Sequence, residues 1–355
     1  MENFQSQLDD LLITGVQKGA SDIHLSAGYY PTVRIDGMLV PLSDKKILTK
    51  QEVEGMAFAL LGKERKEKFL TDKEADFSYQ VGQQMRFRVN VYQAKGNIAI
   101  VMRYIADQIR SMDDLHLPEQ VKLFSKLSQG FVLVAGPTGH GKSTTLAAIV
   151  QAINLERTEK IVTIEDPIEY IFTPERSLID QREVGDDTLS FANALRSTFR
   201  ENVNVIMVGE LRDFETISAA VTAAETGHLV LASIHTNDAA QTIERIIDIF
   251  PPNQQRQIIS QLANSLSGVV SQRLVPATRG GLVPAVELMI ATTAVRNIIR
   301  ENKIEQLNLA IGTGASSGMI SLNQSLAGLV RDKFISLDQA KFYSPNVSEL
   351  QTLLK

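Results

Sequence analysis

Cysteine is absent from the 355-residue chain, which excludes disulfides and any thiolate zinc centre. Excess positive charge is absent too. The 36 Lys and Arg stand against 41 Asp and Glu, a formal net charge of -5. That balance leaves no electrostatic footprint for nucleic acid and disfavours a DNA-translocating motor. No apolar run approaches the roughly 20 residues that span a bilayer, so no direct membrane insertion is expected. Met1-Glu2-Asn3-Phe4 is acidic and lacks the basic-then-apolar layout of a signal peptide. No internal repeat or low-complexity tract occurs. The expectation is a cytoplasmic protein. At this length two domains are expected, and 44% hydrophobic with 22% charged residues is ordinary for globular protein.

What the chain does contain is Gly136-Pro137-Thr138-Gly139-His140-Gly141-Lys142-Ser143. It fits the phosphate-loop pattern G-x-x-x-x-G-K-[ST] at every fixed position. The apolar run Phe131–Ala135 before it reads as a strand buried on both faces. The residues from Thr144 to Val150 read as a helix start. Strand, glycine loop and helix in that order turn backbone N–H groups and a helix dipole toward phosphate oxygens. The expected nucleotide-binding set is Gly136, Thr138, Gly139, His140, Gly141, Lys142, Ser143 and Thr144. Lys142 reaches the β- and γ-phosphates, and the Ser143 hydroxyl holds Mg²⁺. ATP and Mg²⁺ are the expected cofactors.

Taken in order, Phe4, Leu8, Leu11, Leu12 and Val16 fall at helical spacing, with Gly19 as the stop. Tyr30 to Leu42 reads as a hairpin turned at Asp36-Gly37. Thr49-Lys50-Gln51-Glu52 is a capping box opening a helix toward Leu70. Strands Met85 to Tyr92 and Ile98 to Tyr104 turn at Lys95-Gly96-Asn97, and Arg86 and Arg88 share a face. This makes residues 1–106 a small α+β domain. Residues 107–117 break every pattern and form the linker. Pro118 suits the first turn of a new helix. Residues 118–355 alternate strand and helix, the mark of a parallel α/β sheet. Strands are expected at Phe131–Ala135, Ile161–Ile164, Val205–Val208, Leu229–Ile234 and Val283–Met289. A helical tail carries the stripe Leu322, Leu326, Leu329 and Val330.

Ligands bind at the C-terminal ends of parallel strands. Three strands end there in polar groups: Glu165 with Asp166, Glu210 with Arg212, and His235, with His228 at the start of the last strand. One carboxylate can hold Mg²⁺ or its waters and another can deprotonate the attacking water. Histidine can sense the γ-phosphate. Each also has a plainer reading: Glu210 as a surface charge, His228 and His235 as hydrogen-bonded structural histidines.

These residues resemble the secretion ATPase superfamily, the hexameric motors of type II secretion and type IV pili. The stretch Thr163-Ile164-Glu165-Asp166-Pro167-Ile168-Glu169 resembles its aspartate box, and Val208-Gly209-Glu210 its Walker B. Residues Thr222 to His228, continued to His235-Thr236, resemble its histidine box. Ala20-Ser21-Asp22-Ile23-His24-Leu25 and Arg86-Phe87-Arg88-Val89-Asn90 resemble the N-terminal PAS-like domain of the pilus-retraction branch. Ala294-Val295-Arg296-Asn297-Ile298-Ile299-Arg300-Glu301 resembles that branch's retraction signature, and Gly318-Met319 with Leu322 a further tail motif. Two departures stand out: His140 replaces the usual serine, and Asn237 and Asp238 follow the histidine box where small hydroxyl residues are commoner.

The resemblance implies an α/β architecture, a RecA-like phosphate-loop NTPase domain with an N-terminal α+β PAS-like domain. It implies a homohexameric Mg²⁺-dependent ATPase powering pilus retraction and twitching from the cytoplasmic base of the pilus machine. The partners it implies are an inner-membrane platform protein and paralogous pilus ATPases. Catalytic roles fall on Glu210, Glu165, Arg88, Arg103, His228 and His235, with Ser143, Glu165 and Glu210 on the metal. Arg88 and Arg103 match arginines that reach the γ-phosphate; surface ion pairs are their plainer reading. Val295, Ile298 and Ile299 point inward and Arg296, Asn297, Arg300 and Glu301 outward, as a docking face. An accessory paralogue of the retraction motor remains open. An assembly or secretion ATPase is disfavoured by the missing cysteines and by the 294–301 segment. A nucleotide-binding partner without activity is disfavoured by Lys142 and Glu210.

Overall fold

A computed structural model describes residues 4–35, 37–82, 85–105 and 108–355. Met1-Glu2-Asn3, the turn residue Asp36 and the expected domain-to-linker boundary at Ala106–Asp107 lie outside the described residues. The chain forms two compact units, Met1–Gln108 with Pro167–Ile171, and Ile109–Asp166 with Phe172–Lys355.

The first unit contains α1 (Phe4–Gln17), β1 (Asp22–Ser26), β2 (Thr32–Ile35), β3 (Met38–Pro41), α2 (Lys50–Asp72), β4 (Glu74–Val81), β5 (Met85–Ala94) and β6 (Asn97–Ile105). The six strands form one antiparallel sheet in the order β3-β2-β1-β6-β5-β4. Leu8, Leu11 and Leu12 of α1 and Val53, Met56, Leu60 and Leu61 of α2 pack with Ile23, Phe87, Val89 and Ile100 of the sheet. The Thr49–Glu52 capping box starts α2, and Gly62 (φ 62) kinks it. Lys95 and Gly96 both take positive φ between Ala94 and Asn97, the two-residue turn that strand twist favours. Phe87 and Val89 are fully buried, which leaves Arg86 and Arg88 together on the other face of β5.

Pro118 caps rather than enters the next helix: with ψ 141 it precedes the 3-10 helix Glu119–Lys126. The second unit continues with β7 (Gly130–Ala135), α3 (Lys142–Glu156), β8 (Lys160–Glu165), β9 (Leu178–Glu183), α4 (Phe191–Thr198), β10 (Val205–Val208), α5 (Phe214–Glu225) and β11 (Leu229–Ile234). It ends with α6 (Ala239–Asp248), α7 (Pro252–Ser265), β12 (Leu266–Pro276), β13 (Leu282–Ile290), α8 (Thr293–Arg300), α9 (Leu307–Thr313), α10 (Leu322–Arg331), α11 (Leu337–Tyr343) and α12 (Val347–Leu354). The sheet order is β13-β12-β7-β11-β10-β8-β9, parallel except for β13. Every residue of β7, β10 and β11 is buried, as strands covered on both faces require. All five expected strands are present. Sequence reading missed β1, β4, β9 and β12: β9 is polar and half exposed, and β12 follows α7 with no breaker residue between them.

Helix α8 corrects one expectation. Val295 and Ile299 are buried as expected, but Arg296 is not an outward docking group. Its Nε donates to the Ala291 carbonyl at 3.0 Å, and its Nη1 to Ala263 and Asn264 at 2.8 and 2.6 Å. The last two are unpaired carbonyls at the C-terminus of α7, where a guanidinium also meets the negative end of the helix dipole. Arg300 is more exposed: its Nη1 donates to Asn297 Oδ1 on its own helix at 2.7 Å, and its Nη2 reaches the Asn264 side chain of α7 only at 3.4 Å. Arg296→Ala is therefore expected to lower stability by about 1–3 kcal/mol, and Arg300→Ala by about 0.5 kcal/mol or less; paired thermal melts distinguish them.

Glu287 on β13 accepts the Ala239 N–H at the start of α6 (2.8 Å). Burial pushes its carboxyl up to about 7 from 4.5, and nearby Asp238 adds to this, while the Ala239 hydrogen bond and Arg273 oppose it. A carboxyl raised in the folded state stabilises fully below its unfolded pKa and loses that stabilisation as pH rises through 7. Glu287→Gln should thus be nearly neutral at pH 5 and stabilising by roughly 1–3 kcal/mol at pH 8. Melting curves at both pH values test this, and a gain that does not widen with pH rules it out.

Candidate active site

The parallel strands deliver their polar ends to one edge of the second unit's sheet. Ile234 pairs with Ala135, so His235 emerges beside Gly136. Val208 pairs with both Ala232 and Ile164, so Glu210 and Glu165 leave the sheet at the same level. Gly209 fits between them because a Cβ there would come within 3.3 Å of the Ile164 carbonyl. In the loop, Gly136, Gly139 and Gly141 have φ of 150, 78 and 79, which residues with a Cβ rarely adopt. Lys142 and Ser143 open α3, with Thr144 in the same first turn.

The side chains form a connected chain of charges. Lys142 is buried and its Nζ donates to the Gly136 and Pro137 carbonyls at 2.9 and 3.0 Å and to His235 Nδ1 at 3.0 Å. An ammonium can only donate, so His235 Nδ1 accepts and its proton sits on Nε2. Nε2 lies 3.1 Å from Glu210 Oε1. Arg212 Nη2 meets Glu210 Oε2 at 2.9 Å, and Arg212 Nη1 lies 3.5 Å from Asp166. Burial alone would raise the Glu210 carboxyl, but Arg212 and His235 outweigh it and hold it below the usual carboxylate value. Glu210 is thus ionised at neutral pH and ready to accept a proton. Thr138 Oγ1 lies 3.4 Å from His235 Nδ1. Glu165 is buried, with Oε1 accepting from Thr163 Oγ1 (2.8 Å) and Gln181 Nε2 (3.3 Å).

His228 is not brought to this group. It stands at the opposite end of β11, about 20 Å from the loop at roughly 3.3 Å per residue. There its Nδ1–H donates to the Ala223 carbonyl at 3.0 Å, and its ring meets Phe199 edge-on. The expectation of a catalytic His228 is corrected to a structural histidine at the end of α5.

The donor set suits Mg²⁺. The Ser143 hydroxyl and the Glu165 and Glu210 carboxylates are hard oxygen donors, and Mg²⁺ typically uses one or two carboxylates together with phosphate oxygens and waters. Among the described residues no group of three or more His, Cys, Asp or Glu could hold a metal unaided.

Residues 2–315 match the family described as Type II/IV secretion system protein. The chain belongs to that family. It is 43% identical over 334 residues to the type IV pilus retraction ATPase PilT of Pseudomonas aeruginosa, covering 94% of this chain and 97% of that one. It is also 43% identical over 317 residues to the twitching motility protein of Neisseria gonorrhoeae, covering 89% and 84%. The fold matches the crystal structure of the pilus retraction motor PilT with bound ADP, with a TM-score of 0.89 over 97% and 98% of the two chains.

This secretion-family chain carries its two N-terminal arginines side by side. Arg88 on β5 and Arg103 on β6 are direct strand partners. Arg88 pairs with Asp76 (2.5 Å) and Arg103 with Asp22 (2.9 Å). Asp22 is buried; burial raises its carboxyl, but the Ser21 hydroxyl and Arg103 outweigh that and hold it low. Arg86 instead donates to Ser78 Oγ at 2.7 Å. Sequence reading gave no role to Asp22, although it lies inside the quoted N-terminal motif. It also missed Gln272, whose strand went unrecognised.

Lys142→Ala removes the cation that links the loop to His235 and should abolish nucleotide binding and turnover together. Glu210→Gln keeps the shape but not the proton acceptor, so ATP should still bind while turnover falls about 10²–10⁴-fold. Calorimetry beside a phosphate-release assay separates the two, and parental turnover in Glu210→Gln would remove Glu210 from the role of base.

Proposed function

We propose that the chain is a homohexameric ATPase motor that powers retraction of type IV pili. The observation that carries this reading is that the 43% identity to PilT runs through both units, while the phosphate loop, Glu210 and His235 stand at one sheet edge. In this reading Lys142 and the backbone N–H groups of 136–143 hold the β- and γ-phosphates. Ser143 and the strand-end carboxylates would hold Mg²⁺, which would supply positive charge beside the phosphate oxygens. Glu210 accepts the proton of the attacking water. His235 touches both Lys142 and Glu210, so replacing Lys142 as its partner is felt at the base. Arg88 and Arg103 supply positive charge to the phosphoryl group, a contribution of about 10³–10⁵ where a finger arginine is used. The partly exposed Arg88–Asp76 pair costs at most about 1 kcal/mol to exchange, whereas Arg103 leaves a buried Asp22 that keeps Ser21 and Arg34 beside it.

The same reading places the motor at the cytoplasmic base of the pilus machine, pulling on an inner-membrane platform protein. Among the described residues no helix is long and apolar enough to cross a membrane. An accessory paralogue is the second reading, and the deciding experiment is genetic. In a host lacking its retraction ATPase, the parent gene should restore twitching by itself, whereas an accessory paralogue would not. Arg88→Ala and Arg103→Ala should each bind ATP yet hydrolyse it about 10³-fold more slowly or worse, with Arg86→Ala milder. Equal rates for all three variants would remove the finger role.

A further inference from the structure

Strand β12 runs past the end of β7. Their parallel pairing stops at Ser271 with Ala135, where the chain leaves β7 for the phosphate loop. On its other edge β12 pairs with β13, where Leu274 stands opposite Pro284. The free edge of β12 grips the loop instead. The Leu274 N–H donates to His140 Nδ1 at 2.9 Å. Buried Gln272 donates through Nε2 to the His140 carbonyl at 2.7 Å and accepts at Oε1 from Thr145 Oγ1 at 2.8 Å. The loop lies directly on this strand: a Cβ at Gly136 would come within 2.5 Å of the Gln272 carbonyl, and one at Gly141 within 3.2 Å of Gln272 Nε2. A backbone N–H can only donate, so His140 Nδ1 carries a lone pair and the ring is neutral, with its proton on Nε2.

We propose that His140 is a positioning residue, a proton-sensitive latch that keeps the phosphate loop in its anion-ready shape by accepting the Leu274 N–H. This goes beyond the ATPase reading and rests on residues 136–143 being the nucleotide cradle. A serine at this position ends one bond short of Nδ1 and cannot make the same link. A loop already held in its bound shape loses less freedom on binding, so the latch acts on nucleotide affinity more than on the chemical step. Protonation at Nδ1 turns the acceptor into a donor facing another donor, and the latch opens. The charged groups facing the ring are Lys142 at the start of α3 and Arg273 on β12. Burial first, then these two charges, hold the imidazole below its usual 6.5. The latch is therefore closed above that value and lost as pH falls through the lowered pKa.

The test uses the full-length protein as parent, His140→Leu and His140→Asn. The Asn Oδ1 takes about the place of Nδ1 and accepts without titrating. Calorimetry gives the Kd for ADP, and steady-state hydrolysis gives KM and kcat, at pH 7.5 and in steps down to about 5. At pH 7.5 His140→Leu should weaken ADP about fivefold and shift KM more than kcat, while His140→Asn stays near parental. As pH is lowered to about 5, the parent should progressively lose affinity that His140→Asn keeps, by at most the roughly fivefold expected for His140→Leu. A parental Kd in His140→Leu, or an equal acid loss in parent and His140→Asn, overturns the latch. The Asn comparison decides the matter even if the Leu variant does not fold. A parent that binds no ADP at any of these pH values overturns the cradle reading itself.

Discussion

The ATPase unit depends on one buried cation. Lys142 lies at the start of α3 with its ammonium against two loop carbonyls and His235. A buried ammonium is tolerated only where acceptors surround it, and the glycine-bent loop supplies two of them from its own backbone. The third ties the loop to the neighbouring strand end and, through the neutral imidazole, to the ionised Glu210. Anything that draws Lys142 toward a phosphate must therefore change what His235 and Glu210 touch. The sheet makes this coupling possible by bringing the C-terminal ends of β7, β10 and β11 to one edge.

The two units use charge differently. In the second, charges are gathered at a sheet edge and are mostly shielded. In the first, Arg88 and Arg103 hold paired positions on an antiparallel ladder, each parked on an aspartate. The Arg88–Asp76 pair is partly exposed and weak, so it orients its guanidinium without committing it, while Arg103 is held by the buried Asp22. Arg296 is the opposite case, since its guanidinium is consumed by the end of α7.

The phosphate loop, its flanking strand and helix, the capping box at Thr49 and the turn at Lys95-Gly96 were all legible in the sequence. Each depends on neighbours within a few residues: glycines for positive φ, a hydroxyl three residues before a glutamate, or a continuous apolar run. Strand β9 was not legible, because a half-exposed polar edge strand carries no apolar period. Arg296 misled because amphipathic spacing tells which face of a helix is apolar, but not whether a charge on the other face meets a neighbouring helix end. His228 misled because lying next to a strand in sequence does not tell which end of the sheet it occupies.

The sequence by itself determined the chemistry: a phosphate-binding loop, strand-end carboxylates and histidines, and an alternating α/β framework beside a small α+β one. Tertiary structure alone decided which of those groups meet. It joined Lys142 to His235 and Glu210, removed His228 to the far edge, and set Gln272 and the Leu274 N–H under His140 across more than 130 residues of chain. The reason is physical. Local propensity acts over a turn or two of chain, whereas strand order and register, which bring remote residues within hydrogen-bonding distance, are set by how the whole sheet buries its faces.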